Sequence, residues 1–376
     1  MRVFIDTLRP GILAGLLAWI WVRLGLVKQQ KYRDNGWESY AEKVQFKLLL
    51  LGFGLFSRKY AEQLKQLGNE IRSARIFSHY RGEFESNRPG PSSGEVSFKH
   101  SGNAGDLIYA LPAMRALSRG RKAKLFLKLD APINGWSAKE HPLGRSGLTA
   151  ESVNYLMPLL EQQTWLSSVQ IHKDEPVDYD LDIFRKVPNI RGERGSIPHW
   201  YFWLFGVSAD LSQPWLEIRP PCADRNNIVL ARSSRYRNPG IDYSFLRALG
   251  EIDFVGTQSE FQEMLRILPQ LRHVECENFL QLARVIKSGR LFIGNQSLPY
   301  ALAEALKVRR ILEVYPPIPN VIPTGGQAGE AFFQANFEAQ VKRFLEQSAG
   351  VVSSLGENCP PLEEERAAVN LQPQMI

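Results

Sequence analysis

The chain has 376 residues, of which 44% are hydrophobic and 23% charged, as is typical of a globular protein with more than one domain. Its three cysteines are scattered and odd in number, which argues against a disulfide framework or a zinc site and favours a reducing compartment. The net charge of +7 lies in residues 1–90, which hold 15 Lys and Arg against 8 Asp and Glu, so no nucleic-acid partner is indicated for the folded body.

An apolar segment, residues 11–27 (GILAGLLAWIWVRLGLV), dominates the N-terminal part. It contains Trp19 and Trp21, has basic residues on both sides, and is slightly shorter than the roughly 20 residues of a typical transmembrane helix. No small-residue cleavage site follows it, which argues against a signal peptide. The segment therefore predicts either a membrane-associated helix or a helix packed on the body. The protein is expected in the cytoplasm, either free or held at the inner face of the cytoplasmic membrane, with an anionic membrane surface as a candidate partner.

Further helices are expected at residues 38–56 and 59–77, so that residues 1–90 form a helical basic extension. A linker is predicted at residues 85–94, because Pro, Gly and Ser there have nothing to bury.

From residue 95 onwards strands and helices alternate, which predicts parallel sheets covered by helices on both faces. The first series, residues 95–215, is predicted to contain strands at 96–99, 123–129, 168–172 and 179–184 and helices at 106–118, 149–162 and 196–205. The second series, residues 222–347, is predicted to contain strands at 228–231, 252–255, 273–276, 290–293 and 310–314 and helices at 243–249, 259–267, 279–286, 297–306 and 329–347. Residues 348–376 are polar and acidic and are expected to be disordered.

The first series contains a turn of small residues, 101–106 (SGNAGD), between a strand and a helix. Gly102, Asn103 and Gly105 allow the backbone to turn sharply and to approach a ligand closely. Asp106 lies where the helix begins, and two roles fit it: an N-terminal cap, or a general base at the mouth of a cleft. Pro112 predicts that this helix is kinked or begins near residue 110.

The second series contains a comparable turn, residues 294–299 (GNQSLP), before another helix. Ser297 is a favourable N-cap, and a helix N-terminus suits a phosphate or a developing negative charge. Such turns lie at the carboxyl ends of parallel strands, where α/β proteins bind ligands. The two turns together predict two Rossmann-like halves that face one cleft.

In this order and spacing, the two stretches resemble glycosyltransferase family 9, the heptosyltransferase family of bacterial lipopolysaccharide core synthesis. Residues 105–117 (GDLIYALPAMRAL) fit the first motif of the family, and residues 294–309 (GNQSLPYALAEALKVR) follow its second motif, GNDSGPMHLAAALGVP, in outline. Weaker similarities occur at residues 179–184, 231–239 and 254–260. The resemblance covers about residues 95–347.

The resemblance implies the GT-B fold, with an acceptor domain followed by a nucleotide-sugar domain. It also implies an inverting, metal-independent enzyme with no cofactor, which moves a sugar from a nucleotide-diphosphate sugar to a hydroxyl of a glycan or glycolipid acceptor. Asp106 would take the acceptor proton, beside the acceptor-side turn of Gly102, Asn103 and Gly105. The donor-binding residues would be Arg235, Arg237, Thr257, Gln258, Asn295, Gln296, Ser297 and Glu304, the arginines through charge-assisted bonds to the diphosphate. Glu304 could contact a ribose hydroxyl, although an exposed helix face is the commoner position for such a residue.

The second motif departs from the family at three positions. The family has Asp, Gly and His where this chain has Gln296, Leu298 and Ala301. These departures support an alternative function, a catalytically silent relative that binds a nucleotide sugar or glycan, or acts as a scaffold at the membrane.

Other residues could support different chemistry. Asp178, Asp180 and Asp182 alternate along a predicted strand and could hold a divalent cation, although a solvated strand face is the commoner use of such a pattern. His100 fits either a base or a structural residue. A dinucleotide oxidoreductase is excluded, because the turn lacks the GxGxxG pattern and its later acidic residue.

Overall fold

The computed structural model describes residues 40–86, 94–132, 147–185, 194–219 and 226–355, together with residues 187, 190 and 192. Its strands are β1 (Val96–His100), β2 (Ala123–Leu127), β3 (Leu166–Ile171), β4 (Tyr179–Asp180), β5 (Ile228–Ala231), β6 (Ile252–Phe254), β7 (Leu271–His273), β8 (Leu291–Asn295), β9 (Arg310–Glu313) and β10 (Ala328–Ala331). Its α-helices are α1 (Tyr40–Phe56), α2 (Arg58–Ser86), α3 (Ala104–Ser118), α4 (Ala150–Leu160), α5 (Ile197–Phe205), α6 (Gln258–Leu265), α7 (Phe279–Ser288), α8 (Leu298–Leu306) and α9 (Gln334–Leu355). Within these residues, 3₁₀ helices cover Leu181–Arg185 and Ser244–Leu249.

The strands form two separate parallel sheets. The first has the order β3-β2-β1-β4 and the second the order β10-β9-β8-β5-β6-β7. Strands β5, β8 and β9 are buried along their whole length, as expected for a sheet covered by helices on both faces. The predicted GT-B architecture, with two α/β halves, a cleft between them and an N-terminal helical extension, is confirmed. The residue limits of the domains stay predictions.

The two halves are packed directly against each other. Helix α3 of the first half contacts α8 of the second, and α4 contacts α7. Trp215, in the segment after the first half, bonds to both sides: its indole Nε1 donates to the Ile108 carbonyl (3.0 Å) and its backbone N–H to the Ala305 carbonyl (3.0 Å). One apolar core therefore continues from the first sheet into α7 and α8, and this shared core fixes the cleft above it.

The helical extension packs on the first half through α2 and α5. Ile76 is buried in the shared core, and the Phe77 ring lies 4.1 Å from that of Trp203. Helix α2 runs to Ser86, beyond the predicted end at residue 77 and into the predicted linker. Among the described residues, no helix is long and apolar enough to cross a membrane. The apolar segment at residues 11–27 lies outside the described residues, and its membrane association stays a prediction.

The predicted strand at 179–184 is wrong beyond its second residue. Strand β4 pairs with β1 only at Tyr179 and Asp180, and the chain then turns into the 3₁₀ helix Leu181–Arg185. The turn is stabilised by Asp182, whose Oδ1 accepts a hydrogen bond from the Ser101 N–H at 2.9 Å.

The acidic pattern on this segment serves β1. Asp178 accepts bonds from the N–H and hydroxyl of Ser97 at 2.8 and 2.7 Å, and Asp180 pairs with Lys99 at 2.7 Å. The described residues contain no group of acidic, His or Cys side chains arranged to hold a metal.

Two predicted helices have different limits. The closing helix was expected at residues 329–347, but Ala328–Ala331 is strand β10, with the alternating burial of a strand that pairs with β9. Helix α9 then continues to Leu355, past the predicted start of the tail at residue 348. Helix α3 begins at Ala104, close to the predicted residue 106, and contains Pro112 in its interior. A start near residue 110, one of the two alternatives predicted from Pro112, is therefore wrong.

Candidate active site

A cavity of about 520 Å³ lies between the two halves. The two turns meet there, since a Cβ on Gly105 would lie 3.8 Å from the Cα of Leu298, in ordinary van der Waals contact. Of the predicted site residues, those that line the cavity are Asn103, Gly105, Asp106, Arg235, Thr257, Gln296 and Ser297. Those that do not line it are Gly102, Arg237, Gln258, Asn295 and Glu304.

Asp106 lies in the first turn of α3 and lines the cavity. The N-cap position belongs to Asn103, so Asp106 does not serve as the cap. Its Oδ2 accepts a bond from Arg185 Nη2, and its side chain keeps 23% of its surface exposed. Arg185 also bonds Asp182 through Nη1, at 3.3 Å. The carboxylate therefore faces the cavity from a helix N-terminus while a guanidinium anchored elsewhere holds one of its oxygens.

His100 is completely buried and is a structural residue. Its Nδ1 accepts the Gly102 N–H at 3.2 Å, and its Nε2 lies 3.4 Å from the Tyr201 hydroxyl. Burial, followed by the nearby charge of Arg185, lowers the pKa of His100 to about 3. The ring is therefore neutral at physiological pH and supports the turn that leads to Asp106.

This burial predicts a pH-dependent stability. Between an unfolded pKa of about 6.5 and a folded pKa of about 3, the unfolded chain binds a proton at His100 that the folded chain does not. Stability should therefore fall as the pH falls through this window, by up to about 1.4 kcal/mol per pH unit. Urea unfolding of the wild type and of His100→Gln between pH 4 and 7 measures the difference, because carboxylates contribute equally to both. Parallel curves for the two proteins would contradict the prediction.

The two predicted arginines have different environments. Arg235 lines the cavity, where its guanidinium lies 5.2 Å from the centre of the Tyr236 ring. Its Nε is buried and has no hydrogen-bond partner among the described residues. Arg237, in contrast, donates to both carboxylate oxygens of Glu263 and to the Ser233 carbonyl. Of the two predicted arginines, Arg235 is therefore the one that lines the cavity.

Asn295 does not line the cavity but bonds to a loop that does. It is fully buried, and its Oδ1 accepts the Ser233 N–H at 2.9 Å. Its Nδ2 donates to the carbonyls of Ser233, Arg235 and Tyr236 at 3.0, 2.6 and 3.4 Å. Tyr236 has φ 55°, a left-handed conformation that is unfavourable for a tyrosine. Asn295 therefore holds the loop that carries Arg235, and does so against local backbone strain.

The Gln296 amide forms hydrogen bonds with the chain segment after β9. Its Nε2 donates to the Ile318 carbonyl at 2.6 Å and to Asn320 Oδ1 at 2.7 Å, and its Oε1 accepts the Tyr315 N–H at 2.9 Å. An ionised aspartate has no donor and could not make the first two bonds. The glutamine in place of the family's aspartate thus fixes this segment, from which Asn320 lines the cavity.

Thr257 and Ser297 both occupy N-cap positions at the cavity wall. Thr257 forms a capping box with Glu260 at the start of α6, which occupies its side chain locally. The Ser297 hydroxyl donates to the Asn295 carbonyl at 3.0 Å and makes no cap bond to α8. Gln258 is exposed outside the cavity. The α8 N-terminus therefore reaches the cavity without a side-chain cap bond, as does the α3 N-terminus, where Asn103 makes no such bond.

Glu304 lies in a buried ionic cluster on the far side of α8. It pairs with Lys307 and Arg310 at 2.5 Å each and accepts bonds from the N–H and hydroxyl of Thr324. Burial lowers the pKa of Lys307 to about 8, although the charge of Glu304 opposes this shift. Glu304 therefore lies neither at the cavity, where it could contact a donor ribose, nor on an exposed helix face. Its contacts are those of a structural residue.

Two residues at this site were not expected from the sequence. Tyr109 lines the cavity one turn after Asp106 on α3, and its i+3 spacing from Asp106 was the signal that could have indicated it. Burial raises the pKa of Tyr109 well above its usual value, so its phenol stays neutral. Arg185 follows a strand in another part of the chain, and no spacing in the sequence connects it to Asp106.

No family model matches the chain, and no curated protein matches it. Among solved structures, the chain is similar to a glycosyl transferase family 9 protein from Veillonella parvula, with 11% identity and a TM-score of 0.43 over 64% of this chain and 86% of that one. It is similar to E. coli ADP-heptose lps heptosyltransferase II, with 11% identity and a TM-score of 0.45 over 68% and 100%. It is also similar to E. coli heptosyltransferase WaaC with ADP-2-deoxy-2-fluoro heptose, with 12% identity and a TM-score of 0.40 over 68% and 100%.

Proposed function

We propose that the protein transfers a sugar, with inversion, from a nucleotide-diphosphate sugar to a hydroxyl of a glycan or glycolipid acceptor. One observation carries the proposal: a single cavity combines the Asp106 carboxylate of one half with the α8 N-terminus and the Arg235 guanidinium of the other. The motif resemblance to heptosyltransferases supports the same assignment.

The second half supplies the positive groups that a diphosphate needs. The α8 N-terminus carries the partial positive charge of the helix dipole, and Ser297 leaves it uncapped. Arg235 adds a full positive charge and an N–H without a partner among the described residues. Both groups would stabilise the diphosphate as negative charge develops on its leaving oxygen, without a metal ion.

The first half supplies the base. The acceptor oxygen would attack the anomeric carbon from the face opposite the diphosphate, forming the new glycosidic bond as the bond between that carbon and the phosphate oxygen breaks. The acceptor proton passes to Asp106, and the nucleoside diphosphate leaves with the electron pair of the broken bond. Within the described residues, only Oδ2 of Asp106 has a hydrogen-bond partner, so Oδ1 is the proton acceptor in this scheme.

The catalytically silent alternative has one observation in its favour. Gln296 stands where the family has an aspartate, and its amide is fully used by Ile318, Asn320 and Tyr315. A protein of that kind would bind a nucleotide sugar without consuming it.

A panel of nucleoside diphosphates and nucleotide sugars distinguishes the two functions. Thermal unfolding in EDTA should identify a ligand that raises the unfolding midpoint, because binding to the folded state stabilises it by mass action. That donor is then incubated with glycan and glycolipid acceptors, and release of nucleoside diphosphate is measured. Binding with release supports transfer, binding without release supports the silent relative, and no binding contradicts both.

Arg235→Ala should weaken binding of the nucleoside diphosphate by about ten- to a hundredfold. The reason is that a hydrogen bond to a charged group is worth roughly 1.5–3 kcal/mol. The matched control is Arg237→Ala, two residues away, which removes an arginine that is already paired with Glu263. Isothermal titration calorimetry checks both variants. Equal losses in the two variants, or a loss only in the control, would contradict this arrangement.

A further inference from the structure

Arg185 joins the candidate base to a second carboxylate. Its Nη2 bonds Asp106 Oδ2, and its Nη1 lies 3.3 Å from Asp182 Oδ1. Asp182 is itself fixed, because its Oδ1 also accepts the Ser101 N–H at 2.9 Å. The Arg185 guanidinium lies 4.8 Å from the centre of the Phe184 ring, which limits its sideways movement. Asp182 and the Phe184 ring thus fix the guanidinium, and its Nη2 bonds Asp106.

The glycine turn leaves room for this arginine. A Cβ built on Gly102 would lie 2.0 Å from Arg185 Nη2 and 2.5 Å from its Cζ. No side chain could occupy that position without displacing the guanidinium. Gly102 has no left-handed backbone conformation that would itself require a glycine. Clearance for Arg185 therefore explains the glycine at this position, which does not line the cavity.

We propose that Arg185 is the positioning residue of the reaction: it holds Oδ2 of Asp106 and so directs Oδ1 to the acceptor hydroxyl. This inference rests on the proposed function. The guanidinium contributes a charge and a planar geometry, and these two contributions can be separated experimentally. The charge attracts the Asp106 carboxylate, whereas the planar guanidinium, with Nη1 on Asp182 and Nη2 on Asp106, fixes the position of Oδ2.

The test uses the full chain and a set of single and double variants. Arg185→Ala removes charge and geometry, Arg185→Lys keeps the charge alone, and Gly102→Ala adds the methyl group that should displace the guanidinium. Gly102→Ala is also made in the Arg185→Ala background, where the space is empty. The matched control is Gly326→Ala, an exposed glycine with no atom within 4 Å of a built Cβ.

The first measurement is the midpoint of thermal unfolding, which requires no substrate. Gly102→Ala should lower the midpoint of the wild type. In the Arg185→Ala background it should leave the midpoint unchanged or raise it, since replacing glycine by alanine restricts the unfolded chain. Gly326→Ala should behave alike in both backgrounds. An identical effect of Gly102→Ala in the two backgrounds would overturn the proposed contact.

The second measurement is nucleoside diphosphate release at saturating donor, from the donor found by the binding panel, together with the donor affinity. Arg185→Ala should lower turnover by about 10- to 100-fold through misorientation of the base, with donor affinity retained. Arg185→Lys should restore part of the rate, because its ammonium can still bond Oδ2 of Asp106. Gly102→Ala should reproduce the loss of turnover of Arg185→Ala.

Equal losses of turnover and donor affinity in Arg185→Ala, or no recovery of turnover in Arg185→Lys, would overturn the positioning role, because a merely structural arginine would affect stability and binding alike. Absence of donor turnover in the wild type would instead refute the proposed transfer, and the positioning role with it. The unfolding midpoints would still decide whether Arg185 occupies the space above Gly102. The two failures are therefore distinguishable.

Discussion

Asp106→Asn is expected to reduce turnover by about 10²–10⁴-fold while donor affinity is retained. The amide is close in size to the carboxylate but cannot take the proton from the acceptor hydroxyl. A general base typically contributes a factor of this size to turnover. The donor should still bind, because Arg235 and the α8 N-terminus belong to the other half of the protein. Stability should change by no more than about 1 kcal/mol, since the lost ion pair with Arg185 is partly exposed and Asp106 is not at the N-cap position of α3.

The measurement is nucleoside diphosphate release at saturating donor, together with calorimetric affinity for the donor. Asp174→Asn provides a control, because it neutralises a carboxylate that is 83% exposed and paired only with groups outside the cavity. A wild-type rate in Asp106→Asn would refute the base. A wild-type protein that binds donor but releases no diphosphate would support the silent relative.

The fold was predictable because it depends on local patterns. Alternating strands and helices predict parallel sheets wherever they occur, and apolar runs such as Leu291–Asn295 and Arg310–Glu313 lie close to where they were expected. The errors occurred where long-range contacts override the local pattern. Residues 181–184 read as a strand, but the bond between Asp182 and Ser101 turns the chain. Residues 329–331 read as the start of a helix because Gly, Glu and Ala show no alternation of apolar and polar side chains.

The candidate site was predictable only in part, for a related reason. The two turns could be identified because small residues, a cap and a following helix are neighbours in sequence. Which side chain of a turn faces the cavity depends on partners that no spacing reveals. Arg235 and Arg237 look equivalent in sequence, yet only Arg237 is paired with Glu263.

Glu304 shows the same limit more strongly, because its partners decide its function. Its carboxylate is 2% exposed and lies between Lys307 and the almost completely buried Arg310. Arg310 Nε donates to Glu304 at 2.5 Å, and the Thr324 carbonyl accepts a further bond from Arg310 Nη2. A guanidinium buried in this way cannot lose its proton to escape an uncompensated charge.

Glu304→Gln should therefore destabilise the fold by about 3–5 kcal/mol, the usual cost of removing one partner from a buried ion pair. Burial already lowers the pKa of Lys307 to about 8, so Lys307 can lose its proton and with it the uncompensated charge. Most of the destabilisation therefore comes from Arg310, which stays charged. Urea unfolding at pH 7 measures the loss. Glu62→Gln is the control, because Glu62 is 66% exposed and its partner Arg58 is 92% exposed. Such an exposed pair should contribute at most about 1 kcal/mol. Donor affinity, measured where the variant is fully folded, should be unchanged because Glu304 does not line the cavity. The opposite pattern, a stable variant that binds the donor weakly, would restore the ribose contact expected from the family resemblance.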